Sequence, residues 1–190
     1  MILLLACASS PPPPAPTPAG HVVEAPERYD LGRPATAEEI AAWDLDVDAS
    51  WAGLPAGHGT VAEGATLYAQ RCAACHGPEG EGGTGFVGPR LVATVPKVEE
   101  LARDWKAPRA VGNWWAYTST LFDYVRRAMP QSAPGTLTAD ETYALVAWLL
   151  ARNGALPTDA TLDDRSIREV VMPSGVRFTA DDRLSTSEFR

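Results

Sequence analysis

Cys72-Ala73-Ala74-Cys75-His76 decides how the rest of this chain is read. Two cysteines two residues apart, followed at once by histidine, form the attachment pattern of a c-type haem. The thiols of Cys72 and Cys75 would bond covalently to the haem vinyl groups, and His76 would take the iron on its proximal side. A zinc site would need a second pair of Cys or His ligands, and a thioredoxin-like redox pair would need a βαβ context. Neither accompanies the motif. The plain alternative is a chance CxxCH on a core helix, and the residues on either side argue against it.

Upstream, Thr60-Val61-Ala62-Glu63 is a capping box, and Ala65, Tyr68, Cys72 and Cys75 follow at helical steps, so a helix carries the motif. Glycines from Gly77 to Gly88 take the chain out of that helix into a loop. The pattern predicts a second helix over 97–105 and a third over 120–128. The third has Leu121, Tyr124, Val125 and Ala128 on one face and ends before Pro130. Thr138-Ala139-Asp140-Glu141 is another box; it opens a last helix that presents Leu145, Trp148 and Leu149 to the core and stops at Asn153-Gly154. The expected class is all-α, with a haem domain over 60–154.

The flanks are of a different kind. Leu3-Leu4-Leu5-Ala6-Cys7 looks like the end of a bacterial lipoprotein signal with Cys7 as the lipidated residue, which assigns 1–7 to that segment. The alternative is an ordinary signal remnant with an incidental cysteine. Residues 8–28 hold the run Pro-Pro-Pro-Pro-Ala-Pro-Thr-Pro at 11–18, a stiff polyproline II linker. Residues 29–59 form an N-terminal arm with a capping box at Thr36-Ala37-Glu38-Glu39, expected to pack on the haem domain because Ile40, Trp43 and Trp51 would otherwise be exposed. Residues 155–190 read as a polar, irregular tail, part of which returns to the domain through Val170, Val171, Met172 and Phe178.

The chain of 190 residues is 45% hydrophobic with a formal net charge of -8, enough for one core and against a nucleic-acid partner. An iron held by His76 needs a sixth ligand or an open position. Apart from the initiator the methionines are Met129 and Met172, each before a proline, and His21 and His58 are the remaining histidines. Met129 is preferred, because it lies between the third and fourth helices, where a loop can cross the haem face. A saturated His–Met iron favours the reduced state and leaves no place for oxygen, which is electron-carrier chemistry. Trp114, Trp115 and Tyr117 read either as haem-edge contacts or as core filling. Arg126 and Arg127 read as partners of a propionate or a carboxylate, at least one of them being a solvated surface charge.

From about Thr60 to Asn153 the chain resembles class I cytochrome c. Gly64, Tyr68 and Cys72 look like that family's first helix, Leu145 and Trp148 like partners on its last, and Gly88-Pro89-Arg90-Leu91 like the loop whose proline carbonyl orients the proximal histidine. That resemblance makes Pro89 the candidate partner of His76 and implies assembly outside the cytoplasm. A narrower likeness lies in 33–44, in Gly112-Asn113-Trp114-Trp115-Ala116-Tyr117, in Arg126-Arg127-Ala128-Met129-Pro130, and around Met172-Pro173. These stretches resemble the cytochrome subunit of the sulfane dehydrogenase of bacterial sulfur oxidation, whose partner is a molybdenum subunit.

The chain departs from larger members of that family in carrying one CxxCH and not two, so one covalent haem c is expected, ligated by His76 and Met129, in a periplasmic protein that Cys7 would anchor to a membrane if lipidated. Such a protein accepts electrons from a molybdenum sulfur dehydrogenase and passes them to a downstream cytochrome, with no substrate chemistry of its own. The alternatives are a tethered carrier serving another dehydrogenase or a terminal oxidase, and a haem sensor or enzyme with an open sixth site.

Overall fold

Each of the three threonine–glutamate boxes starts a helix. In the computed structural model, which describes residues 31–83, 85–93 and 108–175, Thr36 caps α1 (Ala37–Trp43), Thr60 caps α2 (Val61–Arg71), and Thr138 caps the last helix. In every case the threonine hydroxyl accepts the third amide of the helix while the glutamate there reaches back to the threonine amide. Cys72 ends α2, and a single turn, α3 (Ala73–His76), follows it. The motif thus sits on a break between two helices and not on one continuous helix. Downstream lie α4 (Val111–Trp114), α5 (Thr118–Ala128) and α6 (Ala139–Arg152). The helix expected over 97–105, the Cys7 segment, the proline run, His21 and Phe178 lie outside the described residues.

The core is built on α6, which buries Tyr143, Leu145, Val146, Trp148, Leu149 and Leu150. Helix α2 crosses it where a Cβ on Gly64 would overlap the Ala144 carbonyl, so the two backbones meet only because position 64 has no side chain. One turn further on, Tyr68 stacks on Trp148 with ring centroids 3.9 Å apart. Helix α5 starts two residues earlier than expected and buries Leu121, Phe122 and Val125, whereas Tyr124 is 43% exposed. Phe122 takes the inward place because it meets Tyr143 of α6, at 4.7 Å between centroids.

The chain after Gly154 is more ordered than its polarity suggests. Strand β2 (Thr161–Asp163) pairs antiparallel with β1 (His58–Thr60), Gly59 opposite Leu162, and a 3-10 turn follows over Ser166–Glu169. Leu162, Ile167 and Met172 are all buried. This two-stranded ladder is the only sheet among the described residues, and the all-α expectation holds.

The N-terminal arm behaves as two parts. Val47 is buried, and Trp51 and Leu54 pack against the core. The Val47 amide donates to Asp123 Oδ1 (3.0 Å), Arg126 donates to the Leu45 (3.1 Å) and Gly53 (3.4 Å) carbonyls, and the Tyr143 hydroxyl donates to Pro55 O (2.8 Å). Helix α1 is different: it buries no residue, and Ile40 and Trp43 are 52% and 87% exposed. The expectation that these two side chains pack on the domain is therefore corrected. The seven-residue helix carries its own cap, and among the described residues the hydrogen bonds that clamp the arm begin at Leu45. Within residues 31–35, Arg33 donates to the Pro34 carbonyl. Among the described residues no helix is long and apolar enough to cross a membrane.

Candidate haem site

The turn carrying the motif is closed by its own backbone. The amides of Cys75 and His76 donate to Cys72 O (3.1 and 3.0 Å), and Gly77 N donates to Ala73 O (2.8 Å). Cys72 is partly buried and Cys75 exposed, and they are not joined to each other. Burial pushes the unattached Cys72 thiol up to about 11, so it stays protonated at neutral pH. Among the described residues no three His, Cys, Asp or Glu side chains gather to hold a metal ion.

A loop then folds back over the turn. Gly82 N donates to His76 O and Gly88 N to Cys75 O, both at 2.8 Å, and His76 Nδ1 lies 2.8 Å from Pro89 O. Since a carbonyl can only accept, Nδ1 carries the proton and Nε2 the lone pair, the tautomer an iron ligand requires. A Cβ on Gly88 would lie 2.6 Å from His76 Cε1 and Nδ1, so that glycine lets the loop reach the ring. The Tyr68 hydroxyl donates to Gly77 O (2.8 Å) and fixes the exit from the turn; burial raises its pKa, so it remains a donor. Two neighbouring thiols, an imidazole with Nε2 left as acceptor, and a carbonyl behind it fit a covalently held haem.

The other candidates lie on other elements. Met129 caps the end of α5, half-buried, with its amide on Val125 O (3.2 Å). Met172 is 2% exposed and belongs to the apolar core. Trp114 lies under the Arg109 guanidinium (3.8 Å to the ring) and keeps 39% of its surface, whereas Trp115 packs on the core and meets Tyr124 edge-on at 5.6 Å. Arg126 serves the arm, and Arg127 pairs with Asp123 at 2.7 Å. His58 is exposed, its amide donating to Asp140 Oδ1 (2.8 Å).

Sequence reasoning missed Asn153, whose carboxamide makes four hydrogen bonds at the base of the loop that carries Pro89. It also missed Asn113, which is buried and caps α4 by accepting from Ala110 N (2.7 Å). An asparagine beside a glycine at a helix end was the only visible signal for the first.

Residues 59–149 match the family model described as cytochrome c oxidase, cbb3-type, subunit III. None of the curated proteins matches the chain. Among solved structures it is similar to a chain of the sulfane dehydrogenase SoxCD from Paracoccus pantotrophus, at 38% identity and a TM-score of 0.71, covering 85% of this chain and 76% of that one. With the haem turn, the glycine crossing and this likeness together, the chain belongs to the class I c-type cytochromes, is an electron carrier that binds haem c, and resembles the cytochrome subunit of sulfane dehydrogenase.

Proposed function

We propose that this cytochrome is the electron-accepting subunit of a molybdenum sulfane or sulfite dehydrogenase and passes its electrons to a downstream cytochrome. One observation carries the specific reading. The likeness to the SoxCD chain covers 85% of the protein, well beyond the 59–149 span that the general cytochrome family model matches. Residues outside a haem domain do not hold iron, so a shared partner is the natural reason for their similarity.

A single haem, when bound, supplies a one-electron couple. Cys72 and Cys75 would hold it covalently, and His76, kept in its tautomer by Pro89, would offer Nε2 to the iron. Met129 would be the second side-chain ligand. Electrons enter near Trp114, Trp115 and Arg127, and the arm from residue 33 to 44 adds contact surface for the molybdenum subunit. The expected organisation is a lipid anchor at Cys7, a stiff tether over 8–28, the arm over 29–59, the haem domain over 60–154 and a wrapping tail over 155–190. Such a protein works in the periplasm. Two acyl chains on a lipidated cysteine suffice for stable anchoring where one is marginal.

The test is reduction of the purified full-length protein by its cognate molybdenum enzyme with a sulfane or sulfite substrate. Rapid reduction is expected. Rapid reduction by unrelated donors, with no response to the sulfur enzyme, removes the specific role. The match to an oxidase subunit model supports a second reading, a carrier that serves a terminal oxidase, and that outcome would favour it.

A further inference from the structure

Asn153 follows α6 and is half-buried, yet every hydrogen-bonding position of its carboxamide is used. Its Oδ1 accepts from Ala93 N and Gly112 N, both at 3.0 Å, and its Nδ2 donates to Leu91 O (3.1 Å) and Leu149 O (2.8 Å). One side chain therefore joins the end of α6, the start of α4 and the residues just beyond Pro89. Gly112 is shaped for it: a Cβ there would lie 2.6 Å from Asn153 Cβ and 2.7 Å from Oδ1. Apart from Asn153, Leu91 and Val92 are held by Gly80 O, which accepts both their amides (2.8 and 3.0 Å), and by Val111 N on Leu91 O (3.1 Å).

We propose that Asn153 is a positioning residue for His76: by gripping Leu91 and Ala93 it keeps the Pro89 carbonyl on Nδ1 of the imidazole. The proposal rests on the haem-carrier reading. The physical chain is short. Pro89 is two residues from Leu91, and the His76 bond is made to a backbone carbonyl, so it is only as steady as the segment that carries it. Accepting from Nδ1–H makes an imidazole more basic and favours the ferric state of an iron it ligates. Loosening that carbonyl should therefore raise the reduction potential and free the Nδ1 proton. A purely architectural role for Asn153 would lower stability and leave both unchanged.

The experiment compares full-length holoproteins. Asn153→Leu keeps the bulk and removes all four bonds; Gly112→Ala pushes the carboxamide out of its place. Both should speed exchange of the His76 Nδ1 proton, followed by NMR, about tenfold, the scale of one lost hydrogen bond. Both should also raise the potential. Tyr143→Phe, which drops a bond to Pro55 near the opposite end of α6, should move neither. An Asn153→Leu holoprotein with wild-type exchange and potential overturns the proposal.

Should the variants fail to fold, the wild type decides. The Ala93 and Gly112 amides and the His76 proton should exchange through one shared opening with the same denaturant dependence, and an independent opening at His76 overturns the assignment. A wild-type protein with no c-type spectrum would instead sink the haem reading itself, a result distinct from an ordinary spectrum that Asn153 does not influence.

Discussion

At the residue scale the two methionines separate by environment. Met172 is a core side chain, 2% exposed among apolar neighbours, while Met129 stands at the end of α5, partly open, where the chain leaves the helix. Replacing Met129 with alanine should open the sixth iron position, abolish the weak red band of methionine-bound ferric haem, lower the potential and allow carbon monoxide to bind. Met172→Ala should leave that spectrum intact and cost ~2–5 kcal/mol of stability from the cavity it leaves. Optical spectra and denaturant titrations of both variants check this, and loss of the methionine band in the Met172 variant alone would reverse the assignment. The CxxCH pattern is legible without a structure because the covalent chemistry demands adjacency in sequence. Asn153 is not, since its partners Ala93 and Gly112 are far from it along the chain and its local neighbourhood reads only as a helix end.

At the scale of elements, the attachment of the arm turns on Asp123. Burial alone would raise its pKa, but hydrogen bonds from Arg127 and the Val47 amide, with the charges of Arg127 and Arg126, hold it below the ordinary value of 3.8. A carboxylate depressed in the folded state stabilises it fully above the unfolded value, and that contribution is lost as pH falls through the folded pKa. Asp123→Ala should thus cost ~1.5–3 kcal/mol near neutrality, the range for hydrogen bonds to a charged group. In acid the gap between wild-type and variant denaturant midpoints should shrink below pH 3.8; a gap independent of pH would mean that the charge does not matter. The helices of this region follow from capping boxes and apolar spacing, which are local signals. The β1–β2 ladder does not: three residues are too few for a period, and Leu162 and Ile167 are single apolar residues in polar sequence whose burial depends on the helices they land on.

Across the whole molecule, the arm combines a clamped segment with a helix that turns two large apolar side chains outward, and that contrast bears on the partner. From Leu45 to Pro55 the chain is tied to α5 and α6 by named hydrogen bonds, whereas α1 spends Glu39 on its own cap and turns Ile40 and Trp43 outward. A tryptophan 87% exposed gains by burial on another surface, and aromatic side chains dominate the energetics of such contacts. Transient redox encounters bury less than about 1,200 Å², so an added anchor of this kind suits a subunit that stays bound. Removing the residues before Leu54 should weaken reduction by the dehydrogenase and leave the haem spectrum intact, but it also deletes Val47 and Trp51 from the packed surface. The sharper variant is Ile40→Ser with Trp43→Ser. These side chains fill no core position, so stability should change by no more than about 0.5 kcal/mol. Reduction by a small-molecule donor should be unchanged, while the rate with the molybdenum enzyme at low concentration should fall because the complex dissociates sooner. If stopped-flow traces for the double variant match those of the wild type across that concentration range, the outward face of α1 takes no part in docking, and the contact must lie elsewhere on the chain.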